Sequence, residues 1–392
     1  MKNIAKVISI ILFISEAYSS DRFAWLLDLK GKADSPPVVV MTPSGGFFAF
    51  WVEMEKKFDI AISPSEIWFS RHFMRVIDHR GDIVIGKREI NPHDFSSKTM
   101  LWLKTGELLS IGQRLVNPYS NPPGYCLDRL ILNSSGEIIL GPETFSIDML
   151  EPHLVRDSKD KVYVIDITGV IGVEIAEVYP ELGECIRTPE EHWEEFVKNK
   201  ATDIFVHHSP GITMTSEDKL LICDRLMWGD KEEIKGWPKR PNKLFYVLAD
   251  LNGNIISDPL QFDLRETAFL RVPGIHLGGN FGLSPIVGAT DDIDLAKLPN
   301  GEIILSVTGL DEKGELCTYQ VKFTDKGELV KPDKMVQIEP KKFPTGYLPP
   351  VIKVGLAAIG VGGKVRYEYI LFGFDAEGNF YEDRMVWKEE KR

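Results

Sequence analysis

The chain has 392 residues, 43% hydrophobic, 10% aromatic and 27% charged, a composition that can bury a sizeable core and excludes wholesale disorder. Its 46 basic and 58 acidic residues leave a net charge of -12, which argues against binding a phosphate backbone by counterion displacement. Nucleic acid is therefore not an expected partner.

Residues 1–19 read as a signal peptide. Lys2 and Lys6 precede the apolar run Val7 to Ile14, and Ala17 and Ser19 place small residues before a cut after Ser19. Such a run rises about 12 Å as a helix, too little for a hydrocarbon core of roughly 30 Å. The expectation is a secreted or periplasmic protein with no membrane span after cleavage. Phe23 to Leu29 follows as an isolated apolar run.

From residue 34 onward one pattern recurs: an apolar strand, a polar turn ending in Gly, and a second strand. Its instances are Asp78 to Gly81, Asn133 to Gly136, Asp250 to Gly253, Thr324 to Gly327 and Asp375 to Gly378, with a degenerate one at Pro180 to Gly183. Gly supplies the positive φ such hairpins require, and Asp or Asn at the start can bond the turn backbone. A shorter hairpin precedes each, as at Pro43 to Gly46 and Lys104 to Gly106. Each repeat is thus four antiparallel strands, and such an array predicts a β-propeller. Six blades are expected, roughly 34–90, 91–146, 147–190, 204–263, 291–338 and 343–390, in a single domain spanning 20–392. The last blade is irregular: Val351 to Ala358, Arg366 to Phe374 and Phe380 to Trp387 read as its strands b, c and d, a clean strand a is missing, and pairing of Phe23 to Leu29 into it would close the ring.

The meander puts all tight turns on one face and the longer connections on the other. Three long segments fall on that second face: 187–208, 228–242 and 262–292. The first predicts a short helix over 189–199, with Thr188, Pro189 and Glu191 forming a capped start and Trp193, Phe196 and Val197 on one side. The second holds Trp228, Asp230, Trp237 and Arg240. The third holds Arg271, the Gly-rich stretch around His276, and the acids Asp291, Asp292 and Asp294. Trp237, Arg240, Arg271, His276, Asp291 and Asp292 are the candidate ligand-binding residues.

No metal site is expected. The histidines do not recur at equivalent strand positions, His207 and His208 adjoin and so point to opposite faces of a strand, and the Asp291 to Asp294 cluster lacks further oxygen ligands at regular spacing. Cys126, Cys185, Cys223 and Cys317 show no C-x-x-C pair and sit in strand-like runs, which suits reduced, structural thiols. No cofactor is expected, and a monomer is.

Turns of this kind resemble those of secreted bacterial propellers of the sialidase-like, Asp-box superfamily. Pro43, Ser44, Gly45 and Gly46 before Phe50 and Trp51 echo the Asp box, and Phe269, Leu270, Arg271, Val272 and Pro273 are similar to the Phe-Arg-Ile-Pro motif of sialidases. The complete box does not occur, so no catalytic residues are carried over. The expected function is noncatalytic binding of a glycan or protein on the long-loop face. The alternatives are a glycoside hydrolase or lyase, for which Asp230, Asp291 and Asp292 are the candidate acids, and a structural module of a surface assembly.

Overall fold

The computed structural model describes residues 37–58, 66–90, 95–117, 124–145, 152–168, 172–187, 204–206, 211–228, 243–257, 260–263, 293–310, 316–330, 336–343, 348–349, 351–361 and 364–391. Within them the regular structure is β throughout. The predicted helix over 189–199 lies outside the described residues, as does Phe23 to Leu29.

The turns set the architecture. Ten of them, beginning at Thr42, Asp78, Leu103, Asn133, Asp157, Thr215, Asp250, Leu298, Thr324 and Asp375, share one five-residue design, in which the first N–H donates to the fifth carbonyl at 2.7 to 3.1 Å. The fourth residue is left-handed every time, with φ from 56° to 93°. Gly holds eight of these positions, and Asp160 and Asp218 hold the others. Asp is among the few side chains that enter this region at modest cost, because its short polar group can bond locally. Oδ1 of Asp78, Asn133, Asp157, Asp250 and Asp375 accepts from the third and fifth N–H, as expected for an Asx-type start.

Strands between these turns form six antiparallel sheets. The first contains β1 (Val38–Met41), β2 (Phe47–Phe58), β3 (Glu66–Ile77) and β4 (Ile83–Ile90). The second contains β5 (Phe95–Trp102), β6 (Leu108–Asn117), β7 (Gly124–Leu132) and β8 (Ile138–Thr144). The third contains β9 (His153–Arg156), β10 (Val162–Thr168), β11 (Gly172–Tyr179) and β12 (Ile186–Arg187). The fourth contains β13 (Ile204–Val206), β14 (Gly211–Met214), β15 (Leu220–Trp228), β16 (Lys243–Ala249) and β17 (Leu260–Asp263). The fifth contains β18 (Ile293–Lys297), β19 (Ile303–Leu310), β20 (Leu316–Phe323) and β21 (Val336–Ile338). The sixth has β22 (Val351–Val361), β23 (Lys364–Phe374) and β24 (Phe380–Lys391).

Side chains alternate along each strand, so every sheet packs on two neighbours. Phe47, Ala49 and Trp51 of β2 pack against Ile352, Tyr369 and Leu371 of the sixth sheet, whereas Phe48 and Phe50 pack against Leu108, Leu130 and Leu132 of the second. Leu109 and Ile111 then meet Val162 and Val164, Ile165 and Ile175 meet Leu220 and Ile222, and Leu221 and Cys223 meet Ile303 and Leu305. Ile304 with Ala296 completes the circuit against Ile370 and Phe372. The contact between last and first sheets closes a ring, and the protein is an all-β propeller.

Three expectations need correction. Six uniform four-stranded blades do not occur: five blades have four strands or more, and the sixth sheet has three. Among the described residues no strand lies inside β22, which borders β1 directly. The fourth blade has five strands because the nine-residue β15 outruns its four-residue partner β14, and β13 pairs with the remaining Leu226 to Trp228. The turn read at Pro180 to Gly183 is not of the repeat type. The Gly183 N–H turns back to the Glu177 carbonyl, and the chain rejoins the sheet only at Ile186 and Arg187, opposite Ile175 and Glu174.

Candidate functional site

All ten regular turns lie on one face and are spent on structure. Several are also tied to each other: the Ser158 N–H and Oγ donate to Asp218 at 2.7 and 2.5 Å, Lys104 meets Asp160 at 3.4 Å, and the Ser216 N–H donates to the Asp325 carbonyl at 2.7 Å. The opposite face receives the ends of β15, β17 and β12 and the starts of β16, β18 and β13, which flank the three long segments. Trp237, Arg240, Arg271, His276, Asp291 and Asp292, with Asp230, belong to those segments and lie outside the described residues.

Beneath that face the interfaces between sheets change character. Near the tight turns they are largely apolar; three to seven residues along the strands, buried polar groups replace the aliphatic ones. Asp128, Asp166, Glu174 and Glu368 are buried there, with His72, Ser110, Ser306 and Gln320. Isolated ions cannot be buried cheaply, so each requires partners or a task.

Between the first and second blades the partners are visible. Asp128, fully buried, accepts from Arg114 Nε at 2.5 Å, from Thr144 Oγ1 at 2.7 Å and from Cys126 Sγ at 3.5 Å. Burial, and next the negative Asp128, pushes the Cys126 thiol up. This is a satisfied ion pair, and its position is structural. None of Cys126, Cys185 and Cys223 is in a disulfide bond.

On the third blade Asp166 and Glu174 are direct cross-strand partners, and Arg187 stands opposite Glu174 on the next strand. Strand alternation places both acids on the face of Val164 and Ala176, against the second blade. Directly opposed residues have Cβ atoms about 4.5 to 5.5 Å apart. A carboxylate pair so placed is a candidate acid/base set.

The third cluster lies between the fifth blade and the sixth sheet. Ser306 and Gln320 are direct partners across β19 and β20, both 3% exposed, and Asp294 stands opposite Ser306 on β18. Neither Gln320 amide atom nor Ser306 Oγ finds a hydrogen-bond partner among the described residues. On the facing sheet, Glu382 is ion-paired with Arg384, and burial pushes its carboxyl up against the lowering pull of that arginine. Across the fifth blade, toward the fourth, burial pushes the Tyr246 phenol up to about 12.

Among the described residues no group of three or more His, Cys, Asp or Glu side chains could hold a metal ion. The strand positions of Asp166, Glu174, Ser306 and Gln320 escaped the sequence reading, which sought chemistry in loops. One available signal was polar residues interrupting otherwise apolar alternation, as in Val-Tyr-Val-Ile-Asp-Ile and Ile-Ile-Leu-Ser-Val.

No protein-family model matches the chain, and no curated protein matches it. Solved structures similar to it include a protein of unknown function from Dyadobacter fermentans, 10% identical with a TM-score of 0.48, covering 93% of this chain and 96% of that one. An ulvan lyase of polysaccharide lyase family 25 is 9% identical with a TM-score of 0.44, covering 92% and 86%. An α-L-arabinofuranosidase from Clostridium thermocellum is 10% identical with a TM-score of 0.40, covering 77% and 93%.

Proposed function

We propose that this propeller is an exported, noncatalytic binding module whose long-loop face takes a glycan, with Trp237, Arg240, Arg271, His276, Asp291 and Asp292 in the contact region. The observation that carries the reading is the asymmetry of the two faces. One is closed by ten self-bonded turns, and the other receives the strand ends that flank 187–208, 228–242 and 262–292, above a layer of buried polar side chains. Long loops on a rigid scaffold are where binding residues usually reside. A glycan array probed with wild type and with Trp237→Ala combined with Arg271→Ala tests it. Aromatic and Arg anchors dominate such contacts, so the double variant should bind about tenfold more weakly or worse. Undiminished binding would overturn the placement.

A second reading, a glycoside hydrolase or lyase of sialidase-like architecture, is favoured by Asp166 and Glu174. Two carboxylates in direct register can approach the separation of about 5 to 5.5 Å used by retaining glycosidases. If they act as acid and base, Asp166→Asn and Glu174→Gln should each lower release of reducing ends from the bound glycan at least about a hundredfold. Equal release by both variants and wild type would remove this reading.

A further inference from the structure

Five of the six sheets have an inner strand that runs toward the tight turns: β1, β5, β9, β14 and β18 pair with β2, β6, β10, β15 and β19. The sixth sheet starts differently. β22 leads away from the tight-turn face, since Val351 stands opposite Phe374 just before the turn at Asp375, and so corresponds to the second strand of the other blades. All eleven of its residues pair with β23, yet among the described residues no strand pairs with its other edge. That edge begins inside the protein: Ile352 is 3% exposed and shares a core with Trp51 and with Val39 of β1. Buried backbone groups are nearly always hydrogen-bonded, so an inner edge of this length calls for a strand.

The connection into β22 is spent elsewhere. The Lys341 N–H donates to the Phe380 carbonyl at 2.9 Å and the Lys341 carbonyl accepts from the Glu382 N–H at 2.8 Å, which lays this residue along the far edge of β24. The Leu348 N–H then donates at 2.9 Å to the carbonyl of His79, in the outer turn of the first blade. The segments 187–208, 228–242 and 262–292 are tied at both ends to the third, fourth and fifth sheets, and β24 runs to Lys391. There remains the chain ahead of Pro37, which enters the described fold one residue before β1, and β1 borders β22. Between the expected leader and Pro37, only Phe23 to Leu29 is almost continuously apolar, as strands covered on both faces are. Val38 follows Leu29 by nine residues, a reach of up to about 30 Å against roughly 10 Å between packed sheets.

We propose that residues 23–29 form the inner strand of the sixth sheet, antiparallel to β22 and running toward the tight-turn face between β18 and β1. Composition pointed to the last blade; the fold supplies the edge and the direction. The register follows from four other blades, whose inner strands pair with the first residues of their partners, Phe47–Phe50, Val162–Ile165, Leu220–Cys223 and Ile303–Val307. The equivalent edge here is Val351 to Val354. This strand is independent of what the long-loop face binds. It also limits where a leader can be removed: a cut after Ser19 leaves the strand whole behind Ser20, Asp21 and Arg22, whereas a cut beyond Phe23 would take part of it.

The test is made on the full chain. Val354→Cys is combined in turn with Ala24→Cys, Trp25→Cys, Leu26→Cys, Leu27→Cys and Asp28→Cys, mild oxidation is followed by peptide mapping, and Val386→Cys on β24 replaces Val354→Cys as the control. Opposed residues of antiparallel strands have Cα atoms about 4.5 to 5.5 Å apart, within disulfide reach. The expected result is a disulfide within one chain from position 354 to one or two of the five positions, and none from position 386. A link from position 386, a link between two chains, or no link would overturn the proposal. Leu26→Pro and Leu27→Pro give a second readout. Successive N–H groups of a strand point to opposite sides, so one proline removes a bond to β22 while the other faces the ring axis, where it is tolerated. The first should melt at least about 3 °C below the second. Equal melting temperatures for the two would also overturn the assignment.

Discussion

Gly46→Ala should cost about 3 kcal/mol or more of unfolding free energy, the cost of forcing an atom into fully packed backbone. A Cβ built there lies 2.0 Å from the Ile77 carbonyl oxygen and 2.6 Å from Asp78 Cα, so the first blade's two tight turns would have to separate. Both ends of the clash are constrained. The Gly46 N–H donates to Thr42 Oγ1 at 3.0 Å, its carbonyl accepts from the Thr42 N–H at 2.8 Å, and the facing turn is closed by the Asp78 N–H on the Asp82 carbonyl at 2.9 Å. Gly45→Ala is the control. Gly45 is the left-handed residue, with φ of 87°, and its Cβ would meet only His79 Cβ at 3.5 Å, an ordinary contact. It should cost about 1 to 2 kcal/mol through backbone strain alone. Urea denaturation of the two variants decides, and an equal or smaller loss for Gly46→Ala would refute the close approach. The repeat pattern does not foretell this, since the equivalent fifth positions of other inner turns are Glu107, Lys161, Lys219 and Glu302.

Replacing Arg129 by Met should be comparably damaging. Its side chain is 6% exposed and joins two blades: Nε donates to Glu143 at 2.9 Å within the second, while Nη1 donates to the carbonyls of Val178 at 2.8 Å and Pro180 at 3.1 Å in the third. Breaking a buried ion pair costs about 3 to 5 kcal/mol, because one charge stays behind without its partner. Glu143 is 38% exposed and can regain water, which places the expected loss near the lower end of about 3 kcal/mol. The carbonyls cannot do so as easily, since Val178 is fully buried. Arg129→Lys should recover less than half, because an ammonium cannot span a carboxylate and two carbonyls as the planar guanidinium does. Chemical denaturation of both variants measures this. A lysine variant as stable as wild type would show that only the charge matters there.

The legibility of this chain follows the range of the interactions involved. The turn at Asp375 to Gly378 was readable because its determinants lie within five residues: an acceptor at the first position, a residue able to adopt positive φ at the fourth, and strands on either side. The turns at Asp157 and Thr215 obey the same rule with Asp160 and Asp218 in place of Gly, so their conformation, unlike their position, was hidden by composition. Pro180 to Gly183 shows the opposite failure, a familiar residue pattern whose strand partner lies elsewhere on β11.

By itself, then, the sequence determined the strands, their alternation and the face each tight turn occupies, since these depend on contacts a few residues apart. The want of a clean strand a before Val351 was legible too; only the tertiary structure decided that the edge of β15 takes a fifth strand, because no local pattern records which neighbour an edge will find. The same holds for the pairing of Ser306 with Gln320 and of Asp166 with Glu174. Strand period assigns each side chain a face, but the depth at which two polar groups meet, and whether anything bonds to them there, is set by register across loops and by the packing of sheets distant in the chain.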